Sequence, residues 1–290
     1  MTPTLPQMPS AFPTPGPLVY ALRAAFAIGG RVAPAPTARL AEHLFCRPPR
    51  LVLRPPEAEF LAAATQGVVT VRHHQVVTYT WEAPGPTIVL MHGWGSYAGR
   101  WRTIGGALHA AGFRIVALDG PGHGATGGHS ASLPEFAEAM AAVAAREGTI
   151  YAAVGHSLGA SAIPVAMHYK GLQTSRAVLI APPSDPGEYA GFLQRFLWWP
   201  DAVHDRMIAQ LEARLGHQWS DFPIPALAAG RTESALLIHD VDDADVPHTH
   251  GAAIAEAWPG LIFETTRGLG HRNIMRDNAV ADRIVQFLTS

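Results

Sequence analysis

From residue 68 onward, hydrophobic residues come in short unbroken runs, separated by longer stretches with helical spacing. The runs are TIVLM (87–91), FRIVAL (113–118), IYAAV (150–154), RAVLIA (176–181), ALLIH (235–239) and LIFETT (261–266). A strand with one wet face alternates apolar and polar residues, whereas a strand buried on both faces does not. Unbroken runs therefore predict a mostly parallel sheet covered by helices. LPEFAEAMAAVAARE and SAIPVAMHYKG supply crossover helices between runs, and NIMRDNAVADRIVQFL supplies a last helix. Upstream, VVTVR and VVTYTW flank HHQ and predict a two-strand hairpin. The pattern as a whole is that of an α/β chain.

Two stretches depart from this rhythm. About fifty residues separate VLIAP from ALLIH, far more than one crossover helix needs. We read about 182–232 as an inserted cap of short helices. Its aromatics, Phe192, Phe196, Trp198, Trp199 and Trp219, either dock the insertion or line a pocket. The other departure is the N-terminus. Residues 1–17 are proline-rich and read as a poorly ordered tail. Residues 18 to about 46 read as helix, interrupted near GGRVAPAPTAR, and RPPRLVLRPPEAE (47–59) reads as an extended connector. Residues 1–67 thus form an N-terminal extension to an α/β domain at 68–290. LVYALRAAFAIGG, from Leu18, is too short to span a bilayer and has no basic region before it, so we expect neither a membrane span nor a cleaved signal peptide.

Composition narrows the classes. With 290 residues and 48% hydrophobic residues, the chain can bury a sizeable core. Lys and Arg number 21 against 23 Asp and Glu, a net charge of −2 that gives no reason to expect nucleic acid as a partner. The single cysteine, Cys46, excludes an intramolecular disulfide, reads as a small core residue and fits a reducing, cytoplasmic setting.

Chemistry concentrates around GHSLG (155–159). As a bare G-x-S-x-G it is weak, because a small residue opening a helix would look the same. Its context is a strand run before it and a helical run after it, the setting in which a serine is forced onto a sharp, exposed turn. A serine hydroxyl is a poor nucleophile alone and needs a base, which in turn needs a group to hold it. Downstream lie an acidic loop with Asp240, Asp242, Asp243 and Asp245, then His271 in a Gly-flanked loop after the last strand run. The order Ser, Asp, His fits a triad in which His271 is the general base. Among the 15 histidines, His123 is the main competitor and reads as structural or pocket-lining. His156 adjoins the serine, but neighbouring side chains on such a turn diverge. The Leu158 amide opens the helix and can stabilise an oxyanion. A second donor is expected from HGWG (92–95), at the Trp94 amide. The pairs HH (73–74) and HTH (248–250) lack a zinc spacing, the acidic loop fails the calcium template, and GHGATGGH lacks the ending of a phosphate loop. No metal or cofactor is expected.

Taken jointly, HGWG, DGPGHGATG (119–127), GHSLGA (155–160), HDVDDADVP (239–247) and GLGH (268–271) resemble the α/β-hydrolase superfamily over roughly residues 68–290. The resemblance implies Ser157 as nucleophile, Leu158 and Trp94 as oxyanion donors and His271 as base. The family pattern H-G-x-x-D-x-x-V-P picks Asp243 as the acid. Asp240 stands where the family usually has glycine, so Asp242 and Asp240 stay open as alternatives. The first 67 residues look like those of a bacterial subgroup with an N-terminal helical extension. A serine nucleophile argues against the dehalogenase and epoxide hydrolase branches. The implied activity is hydrolysis of a small or medium-sized ester. The alternatives are thioesterase, amidase or C–C hydrolase chemistry, or ligand binding without turnover. Oligomeric state is left open.

Overall fold

The computed structural model describes residues 15–290. Most of the proline-rich tail, residues 1–14, lies outside the described residues. Along the chain the helices and strands are α1 (Pro17–Val32), α2 (Pro34–Cys46), α3 (Pro55–Ala62), β1 (Thr65–Val71), β2 (His74–Trp81), β3 (Thr87–Met91), α4 (Arg102–Ala110), β4 (Arg114–Leu118), α5 (Leu133–Glu147) and β5 (Ile150–His156). There follow α6 (Leu158–Tyr169), β6 (Arg176–Ile180), α7 (Glu188–Leu197), α8 (Asp201–Leu215), α9 (Ile224–Ala228), β7 (Ser234–Asp240), α10 (His248–Ala257), β8 (Ile262–Thr266), α11 (Gly270–Asn273) and α12 (Asn278–Thr289).

The strands make one eight-stranded sheet in the order β1-β2-β4-β3-β5-β6-β7-β8. β1 and β2 form the expected antiparallel hairpin, and β2 also pairs antiparallel with β4. Every other pairing is parallel. This is the α/β-hydrolase fold that the sequence motifs implied. Alternate residues of the central strands, Ile88, Leu90, Ile115, Val154, Val178, Ile180, Leu236 and Ile238, face one way. They share a core with Trp101, with Ile104 and Leu108 of α4, and with Ile284 and Phe287 of α12. The intervening residues, Val89, Met91, Val116, Leu118 and Ala153, are equally buried on the other face, where α5 and α6 pack. Burial on both faces is why the strand runs are unbroken.

The chain divides into two compact units. The larger takes Arg47–Ser184 and Pro223–Ser290. The smaller takes the described residues up to Cys46 together with Asp185–Phe222. These limits differ from the 1–67 extension and the 182–232 insertion read from the sequence, and side-chain packing gives the reason. Phe60 of α3 stacks on Trp81 with ring centroids 4.2 Å apart, which places α3 with the sheet. Likewise α9 buries Ile224, Leu227 and Ala228 and packs on α6 and α10. The connector is also shorter than expected, because Pro55 opens α3 rather than continuing an extended segment; proline at the first helical position costs no hydrogen bond.

Within the smaller unit, α1, α2, α7 and α8 share one core built on Phe26, Ala38, Ala41, Ala190, Leu197, Trp199, Val203 and Met207. The interruption expected across residues 29–39 narrows to Ala33, since Pro34 disfavours helix only at the residue before it. Gly29 and Gly30 stay helical. A Cβ on Gly30 would lie 2.8 Å from the Pro200 ring, so glycine there permits close packing. Of the insertion's aromatics, Trp199 meets Phe26 edge-on at 5.2 Å, Trp219 packs against Phe45, and the exposed Trp198 lies under the Arg23 guanidinium. Cys46 is buried, with Leu211 and Leu215. Among the described residues, no helix is long and apolar enough to cross a membrane.

Candidate active site

The turn between β5 and α6 carries Ser157. Its φ of 53° and ψ of −123° are a conformation that non-glycine residues adopt only at a cost of about 1–3 kcal/mol. Two close approaches hold it there. The Ser157 amide donates to Ile180 O at 2.8 Å, fixing the turn to β6. Gly159 lets the first turn of α6 lie against β3, where a Cβ would come within 2.3 Å of Met91 O. Strain and sheet together lift the hydroxyl above the carboxyl ends of the strands.

Two loops meet it. After β7, the chain turns back through Asp243, whose Oδ1 accepts the amides of Asp245 (2.9 Å) and Val246 (2.8 Å). After β8, the single turn α11 carries His271. His271 Nδ1 lies 2.7 Å from Asp243 Oδ2, and His271 Nε2 lies 3.0 Å from Ser157 Oγ. An ionised carboxylate only accepts, so Nδ1 carries the proton and donates it. The Nε2 lone pair then faces the serine hydroxyl, as a general base requires. Burial alone would raise the Asp243 carboxyl. Hydrogen bonds from His239 and His271 and from the Val246 amide outweigh it and hold the group below the usual carboxylate range.

The structure thus brings together Ser157, His271 and Asp243 and gives the competing acids other partners. Asp240 is fully buried and accepts from the Thr266 hydroxyl (2.7 Å) and the Leu269 amide (3.0 Å) through Oδ2, and from the Asp242 amide (2.9 Å) through Oδ1. Burial pushes Asp240 up, but these bonds outweigh it and leave the carboxyl below its ordinary value. Asp242 accepts the Gly268 amide at 2.9 Å. Both therefore tie the histidine loop to the acid loop, with no contact to the imidazole.

Three histidines outside the proposed triad frame the site. His123 Nδ1 donates to Pro121 O at 2.8 Å, and its Nε2 accepts the Gly95 amide at 2.9 Å. His92 Nδ1 donates to Gly93 O at 2.7 Å, and its Nε2 accepts the Gly120 amide at 2.9 Å. Burial lowers the pKa of both, His92 to about 4 and His123 to about 3, so each is neutral in the tautomer its bonds demand. Together they pin the HGWG turn that carries Trp94. A Cβ on Gly93 would lie 2.8 Å from Ser157 Cβ, so only glycine lets this loop pass the serine. The Trp94 and Leu158 amides are the donors the sequence singled out. Leu158 is the first residue of α6, where amides have no intrahelical acceptor.

The third, His156, has a role that its adjacency to the serine did not reveal. Its Nε2 donates to His271 O at 2.9 Å, and burial, reinforced by His271, lowers it to about 3. It is a neutral strut under the base. Among the described residues, no group of three or more His, Cys, Asp or Glu could hold a metal ion.

Residues 82–241 match the family model Hydrolase_4, described as serine aminopeptidase, S33. That is more than half of the chain. The chain belongs to this α/β-hydrolase family. The Hydrolase_4 match includes Ser157 and ends two residues before Asp243. One relative is the pimeloyl-[acyl-carrier protein] methyl ester esterase of Methylococcus capsulatus, 36% identical over 121 residues, covering 39% of this chain and 46% of that protein. Another is the monoacylglycerol lipase of Mycolicibacterium smegmatis, 36% identical over 84 residues, covering 26% and 30%. The chain thus spans less than half the length of these curated relatives. Among solved structures, the carboxylesterase CesB (YbfK) of Bacillus subtilis superposes with a TM-score of 0.59 over 89% of this chain and 99% of that one. At 18% identity, that likeness is one of fold.

Proposed function

We propose that this Hydrolase_4 member is a serine hydrolase that cleaves carboxylic esters through an acyl-enzyme. The observation carrying the reading is the unbroken hydrogen-bonded chain from Ser157 Oγ through His271 to Asp243 Oδ2. Ser157 Oγ attacks the ester carbonyl while His271 Nε2 takes its proton. Asp243 stabilises the imidazolium that forms. The negative charge on the tetrahedral intermediate falls between the Trp94 and Leu158 amides. The intermediate collapses as His271 returns the proton to the departing alkoxide, leaving Ser157 acylated. Water then enters, gives its proton to His271 and releases the acid by the same steps in reverse.

The names of the two sequence relatives, a methyl ester esterase and a monoacylglycerol lipase, support an ester substrate.

The test is a p-nitrophenyl ester series, acetate to palmitate, with aminoacyl p-nitroanilides alongside, for wild type and Ser157→Ala. Ester turnover abolished by Ser157→Ala is the expected result, and the best chain length sizes the pocket. Turnover of the anilides alone moves the function to amide cleavage. Folded protein inactive on both series, or a fully active Ser157→Ala, overturns the ester-hydrolase reading.

A further inference from the structure

An oxyanion donor works only if its amide is already aimed when charge develops. The loop carrying Trp94 is held from the sheet side by His123 on the Gly95 amide and by Asp119 Oδ1 on the Ala98 amide at 2.7 Å. It is also held from a second side, by the segment that precedes the first strand. The Pro49 ring lies against Gly95, whose φ is +62°, so closely that a Cβ there would be 2.9 Å from Pro49 Cγ. Arg50 donates to Gly128 O at 3.0 Å. The strongest tie is at Glu57, buried in the first turn of α3. The Tyr97 hydroxyl donates to Glu57 Oε2, and Arg100 reaches Oε1 at 3.1 Å. The Arg54 amide donates to Oε2 at 3.3 Å, so Glu57 also caps its own helix. A buried carboxylate with a cation, a phenol and an amide for partners is a fixed point rather than a mobile charge. Tyr97 itself is buried, three residues after Trp94, in the stretch that must not move.

We propose that Glu57 is a positioning residue for the Trp94 amide, acting through Tyr97. The inference rests on the serine-hydrolase reading above. It gives a rate-determining task to a helix that lies outside the residues matched by the family model. A purely structural role for Glu57, as helix cap and ion-pair partner, would change stability but leave each folded active site as fast as before.

The test uses Tyr97→Phe, Glu57→Ala and their double variant in the full chain, with active sites counted by phosphonate titration. Complete loss of an oxyanion donor costs about 10²–10³ in rate, so loosening one should cost about tenfold. We expect kcat per titrated site to fall about tenfold in each single variant, with KM changed less than about twofold. The double variant should fall no further, because the two residues act in series. Affinity for a trifluoromethyl ketone, which forms an oxyanion on the serine, should drop by the same factor. Glu57→Gln, which keeps an acceptor for Tyr97, should recover most of the rate. Should Glu57→Ala fail to fold, Tyr97→Phe decides alone, since it removes one oxygen atom. An unchanged kcat per titrated site in Tyr97→Phe, or a lower kcat with unaltered ketone affinity, overturns the proposal. Ser157→Ala is assayed in parallel. If it is inactive while Tyr97→Phe matches wild type, only the positioning role fails. If it is fully active, the hydrolase reading fails and takes the positioning role with it.

Discussion

Replacing Asp243 by asparagine should disable the base by reversing its tautomer. In the native loop, Asp243 Oδ1 accepts two amides, from Asp245 and Val246, while Oδ2 faces His271 Nδ1 at 2.7 Å. An asparagine must keep its oxygen where two N–H groups point, so its NH2 falls at the Oδ2 position. There it meets His271 Nδ1 as a donor and draws the imidazole into the form protonated at Nε2. That form cannot take the Ser157 proton. The NH2 also faces His239 Nε2, 3.4 Å from Oδ2, which already donates to Val246 O. Loss of correct tautomer in a triad costs about 10⁴ in kcat, about 5 kcal/mol of transition-state stabilisation. The two loop amides stay satisfied, so the variant should still fold. The assay is kcat on p-nitrophenyl butyrate at pH 8, per folded molecule by circular dichroism. A loss of less than tenfold would refute the tautomer argument and the choice of Asp243 as the acid.

The remaining predictions concern the frame. Asp240→Asn must place an NH2 against an amide donor whichever way it turns, so it should lower stability by about 2 kcal/mol in urea unfolding. Its kcat should fall less than about tenfold, and a larger loss than in Asp243→Asn would mean that the two acids are misassigned. Gly159→Ala drives a Cβ against Met91 O and His92 O and should cost about 1–3 kcal/mol or more. Gly106→Ala, in α4 with nothing near its Cβ, should be neutral or stabilising by up to about 1 kcal/mol. Acid stability follows from His92, His123 and His156, held neutral with values lowered to about 4, 3 and 3. Below about pH 6.5 the unfolded chain protonates these side chains and the folded one does not, so stability is full above that pH and drains as pH falls toward 3–4. The urea midpoint should decline from pH 7.5 through 6 to 5, and a flat or rising midpoint contradicts the buried neutral assignments.

The parts of this molecule that were legible in its sequence are those set by local rules. Strands buried on both faces write themselves as unbroken runs, and helix-length connections between them imply parallel pairing, but the strand order, with β4 between β2 and β3, was not legible. The G-x-S-x-G turn is legible because strand, turn and helix are consecutive. Asp243 was picked by the resemblance to the family's acid-loop pattern rather than by a local rule, and Asp240 could not be dismissed, since only its bonds to Leu269 and Thr266 show that it braces the histidine loop. His123 could be read as structural or pocket-lining, but its partner at Gly95, like the roles of His156 and Glu57, left no usable signal. Each acts on a partner far away in the chain, Glu57 on Tyr97 forty residues on and His156 on His271 115 residues on. Contacts at such separations follow neither the 3.6-residue period nor the 2-residue one. The shared core of α1, α2, α7 and α8 was hidden for the same reason, with its two halves well over a hundred residues apart.

The most direct measurement is the mass of the enzyme itself during turnover. Wild-type protein mixed with p-nitrophenyl butyrate, quenched in acid within milliseconds and digested, should yield one peptide heavier by a butyryl group, with the modification on Ser157. The same peptide from Ser157→Ala should carry none. Turnover without any acylated peptide, or the butyryl group on another side chain, would contradict the assignment of Ser157 as the nucleophile.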